Sequence, residues 1–286
     1  MPEANPRPLQ PQGKDSFALH PVAAAKPVAP YIGGKKQLAG ELAARIEKTP
    51  HLLYGEVFAG MAGVFFRRRL APKVEVLNDV SRDVATLFRV LQNHYQAFLD
   101  MLRWQLSSRD EFARLNAQDP DRLTDLQRAA RFLYVQRLSF GGKVVSRSFG
   151  ASMTAGARFD IGKLEPILAA AHERLAGVWI ECLPWQEFLA RWDRPGALFY
   201  LDPPYSGSEY YYGRDVFDAA QHAELVEHLR RLKGNFLLTI SDTQHIRSIF
   251  AGFRQEPAMV TYTAGGAERV RRAGELIISN ARAAAV

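Results

Sequence analysis

The feature that most constrains this chain is a strand, turn, helix and strand read between Tyr54 and Asp79. Tyr54 to Phe58 is a short apolar run ending in Gly60-Met61-Ala62-Gly63. Val64 to Leu70 has helical spacing, and Val74 to Leu77 is a second apolar run closed by Asn78-Asp79. A unit of this kind, about 25 residues long, opens a parallel doubly wound α/β sheet and places its ligand at the carboxyl ends of the strands.

The pattern then breaks and resumes. Helical spacing dominates from Ser81 to Leu138, Gly141 to Phe159 reads as loop, and Lys163 to Leu175 is helical again. Strands return at Val178 to Leu183, Leu198 to Leu201 and Phe236 to Ile240, with helices at Trp185 to Ala190 and Ala219 to Leu232. Met259 to Thr263 and Glu275 to Ser279 read as a hairpin at the sheet edge. Residues 1–29, rich in Pro, Ala and Gln, read as a disordered tail. The expected organisation is therefore a sheet domain over 30–85 and 176–286, interrupted by a mostly helical insertion over 86–175.

Charge points to a partner. The 286 residues carry 37 Lys and Arg against 30 Asp and Glu, a net of +7. From Leu126 to Arg158 there is no acid, while Arg128, Arg131, Arg137, Lys143, Arg147 and Arg158 stand among Phe132, Tyr134, Phe140 and Phe149. Cations neutralise phosphates and aromatic faces stack on bases, so the insertion reads as a nucleic-acid surface. No apolar run reaches the ~18 residues of a membrane span, and no leader with a cleavage site is seen. The lone cysteine, Cys182, makes neither an internal disulfide nor a cysteine zinc site, reads as buried within a strand, and fits a reducing cytoplasm. His222, His228 and His245 lack metal-ligand spacing and receive no catalytic role.

Two segments carry chemistry. Gly60 lets a ligand approach the backbone, and Asp79, 19 positions on, ends the next strand where an acid accepts hydrogen bonds from ribose hydroxyls. A nucleoside cofactor and a merely capped turn are both consistent with this pair. The sharper signal is Phe199-Tyr200-Leu201-Asp202-Pro203-Pro204-Tyr205. It sets a carboxylate, a proline carbonyl and an aromatic face at a strand end, which suits a planar ring bearing an exocyclic amino group.

With these segments the chain resembles the Dam-like (D12 class) adenine-N6 DNA methyltransferases. The resemblance rests on Tyr31-Ile32-Gly33-Gly34-Lys35, Glu56-Val57-Phe58-Ala59-Gly60, Asn78-Asp79, Gln136-Arg137-Leu138-Ser139-Phe140-Gly141-Gly142, Asp202-Pro203-Pro204-Tyr205, Ile240-Ser241-Asp242 and Glu275-Leu276-Ile277-Ile278, in that order. It implies a Rossmann-like methyltransferase sheet with an inserted target-recognition domain. It also implies S-adenosylmethionine as methyl donor without a metal, and double-stranded DNA as substrate. A cognate restriction enzyme is a further partner it leaves open. Carried over by position, Tyr31, Lys35, Phe58, Gly60, Asp79 and Asp202 serve the donor, and Asp202, Pro203 and Tyr205 serve the flipped adenine. Arg137, Phe140, Lys143 and Arg147 serve the DNA, and Tyr210, Tyr211 and Tyr212 follow on the catalytic loop. Two positions depart from the family pattern: Ala62 stands at a usual glycine, followed by Gly63, and Gly141 replaces a polar residue of the DNA loop.

Other readings use the same residues. The pocket chemistry suits cytosine N4, RNA or a protein amide, and Ala62 is compatible with a DNA-binding module that has lost activity. A nicotinamide oxidoreductase lacks support because G-x-G-x-x-G is absent.

Overall fold

A computed structural model describes residues 17–35, 37–150, 156–204, 219–263 and 270–280. The strands read from apolar runs are present, joined by two short ones outside those runs, β1 (His20–Pro21) and β3 (Leu70–Ala71). The others are β2 (Leu53–Glu56), β4 (Val74–Asn78), β5 (Trp179–Glu181), β6 (Ala197–Leu201), β7 (Asn235–Ser241), β8 (Arg254–Thr263) and β9 (Val270–Ser279). The main sheet has seven strands in the order β5-β4-β2-β6-β7-β9-β8. The first five strands in that order are parallel to one another, and the β8–β9 hairpin closes one edge antiparallel. This is the expected α/β fold. The parallel strands read as nearly continuous apolar segments because both faces of the sheet are covered.

Side-chain alternation divides the strands between two cores. Leu53, Val76, Phe199, Leu201, Phe236 and Leu238 pack on one face. Helices α7 (Trp185–Trp192), α8 (Ala219–Arg231) and α9 (Gln244–Ile249) belong to that side. Tyr54, Leu77, Leu198, Tyr200 and Leu237 face the other way, and their core runs on without a break into the helical segment. Helix α1 (Ala39–Lys48) lies on this second side. So do α2 (Arg82–Asn93), α3 (Tyr95–Leu102), α4 (Arg109–Ala117), α5 (Asp125–Leu138) and α6 (Ile161–Leu175). The five helices α2 to α6 fall between β4 and β5, where the insertion is read, and they share their apolar layer with the sheet.

Three local expectations are corrected. The stretch expected to be disordered up to residue 29 is packed from His20 onward. His20 and Pro21 pair with Ala71 and Leu70, Val22 N donates to Arg69 O, and Val28 is fully buried. The helix expected over Val64 to Leu70 is a single 3-10 turn, Phe65–Arg67. It is cut short because Arg68 turns inward: its guanidinium is buried 3.7 Å above the Tyr54 ring and pairs with Glu75. Cys182 lies just past β5 and is exposed, because the strand ends one residue earlier.

Candidate active site

The carboxyl ends of the parallel strands bring distant segments together. β2 leads through Phe58 to Gly60, β4 leads to Asp79 and β6 leads to Asp202. The turn after β2 closes with Ala62 N donating to Ala59 O at 2.6 Å, and both Gly60 (φ +50) and Ala62 (φ +52) lie in the left-handed region. A side chain at Gly60 would place its Cβ 3.0 Å from the Tyr31 ring on a left-handed backbone, so any other residue there is strained and must push Tyr31 aside. Gly63 does not take over the glycine role that Ala62 leaves; Ala62 adopts the conformation itself, fully buried. Asp79 is fixed by amides: Gly60 N donates to Oδ2 at 2.7 Å and Ser81 N to Oδ1 at 2.8 Å. Burial raises the Asp79 carboxyl above its ordinary value against the pull of those two amides.

Asp202 meets Lys35 across the site. Lys35 Nζ lies 2.7 Å from Asp202 Oδ1 and donates to Gly33 O at 3.1 Å. The lysine is buried. Burial raises the Asp202 carboxyl, and the Lys35 ammonium opposes that shift. The Thr239 hydroxyl donates to the same Oδ1 at 3.0 Å, and the Tyr200 hydroxyl lies 2.9 Å from Thr239 Oγ1. Beside them Glu56 ends β2, accepting from the Tyr54 hydroxyl at 2.8 Å. Its pKa is pushed up to about 7, chiefly by burial.

The loop of the helical segment docks on this edge. Gln136, fully buried on α5, donates to Pro30 O at 2.9 Å and to Gly142 O at 2.7 Å. Ile32 N donates to the same Gly142 carbonyl at 3.0 Å. Phe140 is half exposed beside Gly141 (φ +68). Arg137 donates to Val28 O at 2.7 Å and to Arg158 O at 3.2 and 3.3 Å. Arg147 donates to Lys143 O at 3.4 Å and reaches Gln136 Oε1 at 3.5 Å. Burial lowers the pKa of both arginines.

The structure thus joins Tyr31, Lys35, Gly60, Asp79 and Asp202 at one edge, with Phe58 and Pro203 on the connecting segments. Tyr205 and Tyr210 to Tyr212 lie outside the described residues. Thr239 and Tyr200 received no role from sequence: a hydroxyl within the run Phe236 to Ile240 looks like core until its cross-strand neighbour is known. Gln136 and Glu56 sat inside family segments without an assigned task. His228 is structural, its ring 5.0 Å from Trp185 and its Nδ1 bound to Glu224 O.

The pattern that describes D12 class N6 adenine-specific DNA methyltransferases matches residues 31–262, most of the chain. The chain belongs to that class. It is a DNA methyltransferase acting on adenine N6, and membership implies S-adenosylmethionine as donor and DNA as substrate. Among its relatives, the type II methyltransferase M.CviBI of Paramecium bursaria Chlorella virus NC1A is 24% identical over 80% of this chain and 87% of its own. The type II methyltransferase M1.LlaDCHI of Lactococcus lactis subsp. cremoris is 23% identical over 89% and 95%. The retron Ec67 DNA adenine methylase of Escherichia coli is 25% identical over 78% and 80%.

The edge fits the donor. The Asp79 carboxylate still has lone pairs for ribose hydroxyls beyond its two amide bonds. Val80, 58% exposed, adds an apolar side chain open to solvent beside Asp79.

Proposed function

We propose that this methyltransferase activates the target amino group with Asp202 and the Pro203 carbonyl, and holds its donor with Tyr31, Lys35, Phe58, Gly60 and Asp79. The observation that carries this reading is the asymmetric loading of Asp202. Among the described residues, Lys35 and Thr239 both reach Oδ1, which leaves Oδ2 as the oxygen available to accept from a target amino group. An adenine amino nitrogen is a weak nucleophile because its lone pair is delocalised into the ring. Two acceptors on its N–H groups favour pyramidalisation and stabilise the positive charge that grows on nitrogen. Bound S-adenosylmethionine supplies an electrophilic methyl on its sulfonium. The chain's contribution is positioning by the Gly60 turn and the Tyr31–Lys35 segment. Lys35 also favours the ionised, accepting form of Asp202 against the effect of burial.

The reading extends to double-stranded DNA whose target adenine flips out of the stack, with Tyr205 stacking on the base and no metal in the reaction. DNA is held by the Phe140–Arg147 loop, where Phe140 and Lys143 lead. Arg147 is partly engaged with Lys143 O and Gln136, and the three carbonyl bonds of Arg137 make it a brace for that loop rather than a free cation. The names of the type II relatives support a cognate restriction enzyme as partner, acting in a reducing cytoplasm. Transfer of labelled methyl to DNA tests the core of the reading. Asp202→Ala loses at least about a hundredfold in the single-turnover rate and keeps DNA binding; full activity in that variant overturns it.

A further inference from the structure

We propose that Thr239, backed by Tyr200, is a positioning residue for methyl transfer: two hydroxyls in series lock the catalytic carboxylate so that Oδ2 faces the target amino group. The proposal rests on the assignment of Asp202 as the amino-group acceptor.

The argument begins with strand register. β6 and β7 run parallel, with Tyr200 beside Leu237 and Leu201 beside Leu238. The next step of that ladder sets Asp202 beside Thr239 on the sheet face that carries Tyr200. Thr239 is fully buried and Tyr200 nearly so, at 4% exposure. Thr239 is the hydroxyl in the run Phe236-Leu237-Leu238-Thr239-Ile240, where valine would fill the same volume.

The direction of each hydrogen bond follows from donor and acceptor capacity. An ionised carboxylate only accepts, so Thr239 Oγ1–H donates to Asp202 Oδ1 at 3.0 Å. Its single proton is thereby spent, so across the 2.9 Å contact with Tyr200 the threonine oxygen accepts and the phenol donates. The chain therefore runs Tyr200 O–H to Thr239 O–H to Oδ1, and its polarity holds only while Asp202 is ionised. Threonine is stiff at χ1, so its hydroxyl is a fixed post. Lys35 reaches the same oxygen at 2.7 Å from another segment, but its flexible stem does not fix an angle. Lys35 supplies charge, and Thr239 supplies orientation.

Single-turnover methyl transfer to a DNA duplex, with donor affinity and DNA affinity measured alongside, tests the assignment. Thr239→Val lowers the transfer rate about tenfold or more, while both affinities stay within about twofold of the parent. Thr239→Ser, which keeps the hydroxyl, restores most of the rate. The double variant Tyr200→Phe with Thr239→Val removes both polar groups from the core together, so it leaves no buried hydroxyl orphaned. It keeps the parent's unfolding midpoint yet is as slow as Thr239→Val, which separates positioning from misfolding. A parental rate in Thr239→Val overturns the proposal, as does an equal loss in Thr239→Ser or a rate loss matched by lost donor affinity. Asp202→Ala in the same assay distinguishes the two readings. If it is inactive while Thr239→Val is parental, only the positioning role falls; if it is active, the assignment of Asp202 and the positioning role fall together.

Discussion

Glu56 offers a sharp test of the electrostatics at the sheet edge. The carboxyl is 2% exposed, and burial raises its pKa from 4.5 to about 7, with the nearby Asp202 charge pushing the same way. The Tyr54 hydroxyl, the Phe65 amide and Arg68 pull it down without cancelling the effect of burial. The stability consequence has a definite sign. Below pH 4.5 folded and unfolded chains both hold the proton, and burial carries no ionisation penalty. Between 4.5 and 7 the unfolded chain loses its proton while native Glu56 keeps it, so stability falls as pH rises. Above about 7 the loss is complete, at about 3 kcal/mol for a shift of this size.

Glu56→Gln removes the titration and keeps an oxygen that accepts from Tyr54. The new amide N–H2 is buried and costs about 1–3 kcal/mol, but that cost is the same at every pH. The quantity to read is therefore the change in the stability difference between variant and parent. Urea unfolding at about pH 5 and about pH 8.5 should show that difference moving by about 2 kcal/mol in the variant's favour at the higher pH. Parallel stability curves, or a difference that moves the other way, would refute the raised pKa of Glu56. Two carboxylates end neighbouring strands here. Burial raises both carboxyls; at Asp202 the Lys35 ammonium and the Thr239 hydroxyl oppose it, and at Glu56 it carries the pKa to about 7.

Two further outcomes follow from the same edge. Ala62→Gly relieves an L-residue held at φ +52, where the strain of roughly 1–2 kcal/mol is partly offset by glycine's extra freedom when unfolded. The unfolding midpoint should rise by about 1–2 °C, and a fall would show that packing of the buried Ala62 methyl outweighs backbone strain. Glu75→Ala strips the shared carboxylate from buried Arg68 and from Arg174, which donates to it at 2.7 and 2.8 Å. A loss of about 3–5 kcal/mol in urea unfolding is expected, and a loss below about 1 kcal/mol would contradict the pairing.

What the sequence made legible was set by how local each signal is. The apolar runs ending at Phe58, Asn78 and Leu201 identified the parallel strands, because a strand buried on both faces needs no partner to be visible. The segments around Gly60, Asp79 and Asp202 were legible for a similar reason: strand ends in an open α/β sheet are where ligands sit. Non-local pairing was hidden. The Pro- and Ala-rich stretch before residue 30 reads as a tail by composition, yet it lies along β3 and the Phe66 carbonyl through bonds that no periodicity encodes. Arg67-Arg68-Arg69 looks like a solvated run, yet its middle residue is fully buried against Tyr54, Phe65 and Glu75. Thr239 became visible only once the register placed Asp202 beside it.

The same distinction changes what the basic window means. Six cations without an acid between Leu126 and Arg158 suggest a surface with six charges to offer DNA. The structure uses several of them internally, with partners that lie mostly outside the window. Arg128 bonds to Asp83, 45 positions earlier, at 2.5 Å, and to Asp121 at 2.8 Å. Arg131 donates to the Leu115 and Asn116 carbonyls, and Arg137 to those of Val28 and Arg158. These three arginines tie α5 to α2, to the end of α4 and to the strap before residue 30. A guanidinium with its donors taken and its surroundings desolvated is a poor ligand for a phosphate, because each DNA contact would first have to break a bond that holds the loop in place. The basic window therefore offers DNA fewer charges than its six cations suggest; Lys143 and Arg147 lie further along the chain. Both follow Phe140 on the loop that Gln136 and Gly142 fasten to the Tyr31–Lys35 segment. Phe140, Lys143, Arg147 and the lysine that pairs with Asp202 therefore share one mechanical unit. Under the proposed function, that gives a direct route by which seating DNA on the loop fixes Lys35 and, through it, Asp202.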